Sequence, residues 1–281
     1  MHGTISNDAT KQALLGITIP PCPASLTSIM REANKPSVSM TTLAQFISRD
    51  AGVVGPLLKM ANSPMMGLRN KVTSVFQAVS VLGMQSTLNL VQNISLRQSM
   101  SGGSQSFDKF WERSSLEATI AEKIAAKFPL VSRDDAYLTS LFHDSGIPVL
   151  MRKHPDYREI VMTQCKEGKS LADVENDVFF TSHTMVGNML TRSWMLPPNV
   201  CQAILHHHDA TIFKPGDGYG GEAVCALVGI IQMTECIADE YLNTKDREWH
   251  LYENEVLKHF DMSKQEFFEL KQDILAFLNG E

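Results

Sequence analysis

The amino-acid sequence predicts an all-α protein. Apolar residues recur at helical spacing along nearly the whole chain, almost no segment alternates in twos, and the periodic runs are separated by short Gly, Pro and capping punctuation. At 281 residues, 43% of them hydrophobic, the chain can bury the core of one large or two ordinary domains. Its 25 basic and 31 acidic residues leave a formal charge of −6. That balance argues against a broad surface for nucleic acid or anionic membrane. The five cysteines are scattered and show no CxxC spacing. They read as reduced thiols of a cytoplasmic protein, not as a disulfide framework or zinc knuckle. The first residues have neither a basic nor an apolar leader pattern, and no run approaches the ~18 consecutive apolar residues of a membrane span.

Taken in order, Asn7 to Leu15 is a short helix closed by Gly16, and Ile19-Pro20-Pro21-Cys22-Pro23 is non-helical because its prolines lack donors. Ser25 is placed to cap Leu26 to Ala33. Ser39 or Thr41 is placed to cap a helix with Leu43, Phe46 and Ile47 on one face. Gly52 and Gly55-Pro56 lead into Leu57 to Asn62. Thr73 or Ser74 opens a helix that Gly83 ends in a left-handed position, and Gln85 to Gln98 continues as helix. The stretch Ser101 to Ser106 is the clearest flexible punctuation, so a boundary is set there, with one helical lobe over 1–105 and a second over 106–281. Beyond it, Phe107 to Phe128 is a long helix. Ser132, with Asp135 three residues on, caps the helix that ends at His143-Asp144. Pro155 to Lys166, Ser170 to Val178, Ser182 to Met195 and Pro198 to His207 follow as shorter helices. Glu222 to Tyr241 is long and apolar, and Lys264 to Asn279 closes the chain.

The chemistry concentrates at that helix end, Leu141-Phe142-His143-Asp144-Ser145-Gly146. An adjacent imidazole and carboxylate can ligate one metal ion together. His183 near a helix start, the run His206-His207-His208-Asp209 and Asp239 late in the apolar helix are the residues able to join it. Each has a plainer explanation, since histidine at a helix C-terminus is favoured by the macrodipole and an aspartate can simply face water. The loop Gly216 to Gly221 lacks the GxxxxGK[ST] pattern of a phosphate cradle, and no GxSxG motif is present. The two helices between Ser74 and Leu96 could be misread as a helix-turn-helix. Only Arg97 lies near them as a base-reading cation, so no DNA partner is expected.

In order along the chain stand Leu43-Ala44 to Arg49-Asp50, Leu57 to Ser63, Ala78 to Gly83, Phe110-Trp111 and Phe142-His143-Asp144-Ser145-Gly146. His183 to Gly187, Trp194 to Pro197 and Ile204 to His208 complete the series. Over about residues 18 to 240 this order resembles the HDOD domain, a bacterial signalling relative of the HD and HD-GYP phosphohydrolases. The resemblance implies two packed helical lobes, the second HD-like. It also implies a metal site from His143, Asp144, His183, His207, His208 and Asp239. Active HD enzymes carry a further histidine on the preceding helix; that position falls here around Ser114-Ser115, and no histidine lies between His2 and His143. The Asp-Gly-x-Gly-Tyr-Pro signature is absent, the nearest stretch being Gly216-Asp217-Gly218-Tyr219-Gly220. The expectation is therefore a cytoplasmic signalling regulator with a degenerate metal site, requiring no cofactor and binding a protein partner or a small phosphorylated ligand. The competing expectation is a phosphohydrolase using Fe, Mn, Zn or Mg on a nucleotide or phosphate ester. In it Asp144 would be the catalytic residue.

Overall fold

A computed structural model describes residues 13–63, 66–68, 70–100, 107–164, 169–214, 221–245 and 248–280. Among these residues the regular structure is helical throughout, as the periodicity predicts. The expected linker at 101–106, the glycine loop at 216–220 and most of the expected helix from Asn7 lie outside the described residues.

The chain divides into two units, one over residues 20–102 and the other over 103–281 together with 1–19. The N-terminal stretch joins the larger unit, where the Lys153 ammonium donates to the carbonyls of Ala13 and Leu15. The smaller unit contains α1 (Ala24–Ala33), α2 (Met40–Ile47), α3 (Ala51–Ala61), α4 (Val75–Leu82) and α5 (Met84–Ser99). Ile29, Leu43, Ile47, Val53, Leu57 and Val91 are fully buried and form its core. Helix α1 starts at Ala24 behind Pro23, not after a Ser25 cap, because the proline's own backbone angles already suit the entry. Ser39 caps α2, and Ser74 and Gln77 form a reciprocal capping box at α4.

The sequence reading fails at α3, and for a physical reason. Gly52, Gly55 and Pro56 lie inside the helix and do not lead into it, which starts at Ala51 with the Asp50 carboxylate accepting from Gly52 N at 3.0 Å. Pro56 has no N–H for the Gly52 carbonyl one turn earlier. The Gln98 side chain of α5 donates to that carbonyl instead, at 2.8 Å. A long-range bond thus replaces the local one. Gly83 also differs from expectation: its φ of 81° is left-handed but its ψ of 163° is extended. Only glycine adopts that pairing readily, and it lets α5 start at the next residue.

The larger unit contains α6 (Asp108–Ala125), α7 (Arg133–Phe142), α8 (Gly146–Lys153), α9 (Tyr157–Gln164), α10 (Leu171–Phe179), α11 (His183–Ser193) and α12 (Pro198–His206). A 3₁₀ turn over Ala210–Phe213 precedes α13 (Gly221–Tyr241), α14 (Trp249–His259) and α15 (Lys264–Asn279). Helix α13 is apolar almost all round and forms the centre, lying against α6, α7, α12 and α14. By length and hydropathy it would pass for a membrane span, but 72% of its most apolar stretch is buried within the fold. No other described helix is long and apolar enough to cross a membrane.

Two helices were missed in the sequence. Helix α14 buries only Tyr252, Val256 and Leu257, too narrow a stripe to stand out. Helix α8 was hidden because Gly146 reads as a terminator, whereas it is the first residue of the next helix. Its lack of a side chain serves space. A Cβ there would lie 2.1 Å from the His183 carbonyl oxygen, so α8 and α11 touch through bare backbone. Gly187 on α11 faces the same contact, its would-be Cβ 3.4 Å from the His143 carbonyl oxygen.

Candidate metal centre

The α8–α11 contact brings three chain segments to one place. His143 and Asp144 stand at the end of α7, His183 opens α11, and His207-His208 follow α12. Ser132 fixes the start of α7 by accepting from Asp135 N at 3.0 Å. Ser182 caps α11, its side chain accepting from Met185 N. The Gln232 side chain of α13 donates to the His207 carbonyl at 2.9 Å, holding the turn that carries both histidines.

In each of these four histidines Nδ1 is engaged by an oxygen. His143 Nδ1 lies 2.7 Å from the Ser140 carbonyl and His207 Nδ1 lies 2.8 Å from the Ile204 carbonyl. A carbonyl can only accept, so Nδ1 carries the proton in both. His183 Nδ1 is 2.6 Å from Glu175 Oε2 and His208 Nδ1 is 2.7 Å from Glu248 Oε2. Glu175 is fully buried and is itself held by the Tyr157 hydroxyl and by the His183 backbone N–H, at 2.7 Å for the latter. Every neutral imidazole in the group thus turns a bare Nε2 inward, the arrangement that an oxygen behind a metal-bound histidine enforces.

Those nitrogens converge. His183 Nε2 is 3.3 Å from His207 Nε2 and 3.3 Å from Asp144 Oδ1, which lies 3.8 Å from His207 Nε2. Asp144, His183, His207 and His208 each offer one donor atom, all within 4.8 Å of one another. If both rings are neutral with Nδ1 protonated, two lone pairs face each other at 3.3 Å, and a proton or a metal ion must stand between them. Metal–nitrogen bonds of about 2.0–2.1 Å set tetrahedral ligands about 3.3–3.4 Å apart, so the spacing fits an ion. A second group, His143, Asp144 and Glu235, converges on the other carboxylate oxygen of Asp144. His143 Nε2 is 3.5 Å from Asp144 Oδ2 and 3.5 Å from Glu235 Oε1, and this buried nitrogen makes no hydrogen bond. Asp144 is common to both groups, and its side chain keeps 24% exposure toward a cleft.

The electrostatics agree with an appetite for positive charge. Burial alone would depress the His143 imidazole, but Asp144, Glu235 and Glu117 outweigh it and push it up to about 10. His208 is likewise depressed by burial and raised by Glu248, to about 9. His207 has burial and the neighbouring His208 against it, and is held well below its ordinary value as a neutral ring. Burial would raise Asp144, yet His143 and the other imidazoles hold it well below the usual carboxylate range.

Five of the six expected ligands therefore come together, while Asp239 falls outside both groups. Its carboxylate accepts from Arg113 at 2.7 Å and from Thr244 at 2.5 Å. Glu235, one turn earlier on α13, is the residue that sequence reasoning missed. Both face the same side of that helix, so periodicity could not separate them. Glu117, Glu175 and Glu248 were missed as well, because supporting carboxylates have no spacing rule. The serines taken for the absent-histidine position turn away: Ser114 Oγ returns to Phe110 O and Ser115 Oγ to Trp111 O. On α6 it is Arg113 that lines the cleft, a space of about 420 Å³ shared with Asp144, Glu235, Asp239, Lys245 and Trp249.

An all-helical unit in which a His-Asp helix end meets histidines of two further helices agrees with the HD-like unit that the resemblance implies. A sequence model of the HDOD domain matches residues 19–210, and the chain belongs to that family. Among solved structures, the fold is similar to that of a candidate phosphohydrolase from Shewanella amazonensis SB2B, with a TM-score of 0.74 and 18% identity. That comparison covers 98% of this chain and 96% of the other. An HDOD domain protein of unknown function from Geobacter sulfurreducens matches with a TM-score of 0.71 and 22% identity, covering 97% and 93% of the two chains. An uncharacterised protein of Treponema pallidum is 24% identical over 196 residues. The match takes in 68% of this chain but only 38% of that protein's length.

Proposed function

We propose that this protein is a metal-dependent HDOD signalling module that binds a small phosphorylated ligand in its HD-like unit. The observation that carries this reading is the set of inward Nε2 atoms, backed by oxygens at Nδ1 and gathered on Asp144. Asp144, His183, His207 and His208 would hold the ion. Three imidazoles and a carboxylate suit zinc, iron or manganese better than magnesium, which prefers oxygen ligands and keeps its waters. When bound, a divalent ion supplies positive charge and polarises a phosphoryl oxygen. The chain's own part is to orient the ligand. Arg113 presents a fixed cation at the cleft beside the half-buried Asp144, and Trp249 gives the cleft an apolar wall. Transmission to a protein partner is the regulatory part of this reading.

A second reading, hydrolysis of the same phosphate ester, is favoured by one observation: Asp144 opens onto a cleft wide enough for a nucleotide-sized ligand. One experiment separates the two. Protein reconstituted with Mn²⁺ is assayed for bound metal, for binding of inorganic phosphate and nucleoside monophosphates, and for release of phosphate from generic esters. The ligand-binding reading expects metal-dependent binding without turnover, lost in Asp144→Ala. Turnover abolished by the same substitution establishes the enzyme. Protein that takes up no metal and no phosphate overturns both.

A further inference from the structure

The second group of donors, His143, Asp144 and Glu235, has converging atoms, a buried unpartnered nitrogen and surrounding acid, and so has the outward signs of a second ion site. It also has a neighbour that no metal site would choose. Arg113 projects from α6 into the same cleft, donating from Nε to Glu117 at 2.6 Å and from Nη1 to Asp239 at 2.7 Å. Glu117 is almost wholly buried, at 2% side-chain exposure, and Asp239 nearly so, at 14%. Four carboxylates, Glu117, Asp144, Glu235 and Asp239, thus crowd one side of the centre around the Arg113 guanidinium. A guanidinium does not lose its proton in a protein, and its planar fork is suited to gripping two carboxylates at once.

We infer that Arg113 is a built-in replacement for a second metal ion: its guanidinium supplies the positive charge on the His143–Glu235 side and limits the centre to one bound ion. The inference rests on the proposed ion position at Asp144, His183, His207 and His208. Three features carry it. Arg113 removes Asp239 from ligand duty by pairing with it directly. It neutralises Glu117, which a dication beside His143 would otherwise face. A dication placed at the second group would also lie beside a fixed like charge at a partly buried cleft, where such repulsion is less screened than in bulk water. The consequence is chemical. A phosphate entering the cleft meets one ion on the His183 side and a guanidinium edge on the other, so it is gripped by a metal and an arginine and not clamped between two metals.

The test is metal stoichiometry. Apoprotein is loaded with excess Mn²⁺, freed of unbound ion by gel filtration, and counted by elemental analysis, with calorimetry resolving the binding steps. The wild type is expected to hold one ion per chain. Arg113→His, which removes the fixed charge and adds an imidazole, is expected to hold two. Arg113→Gln serves where the histidine variant fails to fold, and is expected to bind a second ion at least tenfold more tightly than the wild type does. Arg113→Lys keeps the charge and stays at one. A wild type that holds two ions, or neutral variants that stay at one, overturns the inference and leaves the proposed function standing. A wild type that holds none overturns the proposed ion position itself.

Discussion

Gly146→Ala is expected to damage the fold and the metal centre together. A Cβ on residue 146 would sit 2.1 Å from the His183 carbonyl oxygen, 2.8 Å from its carbon and 2.9 Å from Gly187 N. Ordinary contacts begin near 3.4 Å, so α8 and α11 would have to part by about 1 Å over their closest point. All three obstructing atoms are backbone, and no rotamer change relieves them. Overpacking of a well-packed interior costs about 1–3 kcal/mol, and a rigid backbone clash puts this case at or above about 3 kcal/mol. For a chain of this size that corresponds to a fall in Tm of roughly 6–12 °C. Gly187→Ala is the internal control. Its Cβ would meet Ile204 Cγ2 at 3.2 Å, a side-chain methyl that can yield, and the expected cost is about 1 kcal/mol. Thermal unfolding of both apoproteins followed by circular dichroism measures the difference, and Mn²⁺ calorimetry reports the site. Because the obstructing carbonyl is that of His183, the ligand's own backbone must move, and metal affinity is expected to drop at least tenfold. A Gly146→Ala protein melting within about 3 °C of wild type and binding metal normally would refute the packing argument.

Three further outcomes follow from local chemistry. Glu175→Gln leaves the shape intact but weakens the acceptor behind His183 Nδ1, so metal affinity measured by calorimetry should fall roughly 10–100-fold. Gln98→Ala removes the donor that serves the Gly52 carbonyl abandoned by Pro56. Urea denaturation should show a loss of about 0.5–1.5 kcal/mol, and Pro56→Ala in the same background should restore part of it by returning the local N–H. Ser263 and Glu266 form a capping box at α15, and hydrogen bonds from Ser263 hold the Glu266 carboxyl below its ordinary 4.5. A depressed acid contributes stability above its unfolded value, and that contribution is lost as pH falls from 4.5 through the lower folded value. The acid limb of the stability curve should therefore flatten in Glu266→Gln, while Ser263→Ala costs about 1 kcal/mol at neutral pH.

How far the sequence could be read depended on whether the controlling interaction was local. Ser132 caps the helix it was expected to open, and Ser39 and Ser74 do so in place of their alternatives Thr41 and Thr73, since a cap is decided within four residues. The helix through Gly52, Gly55 and Pro56 was not legible, because its missing hydrogen bond is supplied by Gln98, 46 residues away. Gly146 is ambiguous in the sequence because glycine has two uses, conformational and spatial, and only the contact with His183 shows which applies. His143, Asp144, His183, His207 and His208 could be nominated from residue type and helix position. Their Nδ1 partners could not, as Glu175 and Glu248 are picked out only by three-dimensional proximity.

The same distinction decides between Glu235 and Asp239. On α13 they stand four residues apart, on one face, and either carboxylate could have been aimed at His143. What separates them is a residue on another helix. Arg113 reaches Asp239 at 2.7 Å and Glu117 at 2.6 Å, spending both carboxylates on a side-chain cation, and Glu235 remains the one turned toward His143 at 3.5 Å. The arginine therefore does more than stand near a place where a histidine is missing. It reassigns the acidic residues around the centre, and in the proposed reading a centre without the expected histidine is asymmetric, with its proposed ion ligands on the His183 side and a fixed guanidinium on the other. Asp239→Asn should leave the affinity of the proposed ion within about twofold while Asp144→Asn lowers it by far more, since only Asp144 belongs to the proposed ligand set. Calorimetry showing equal losses for the two substitutions would place Asp239 back among the ligands.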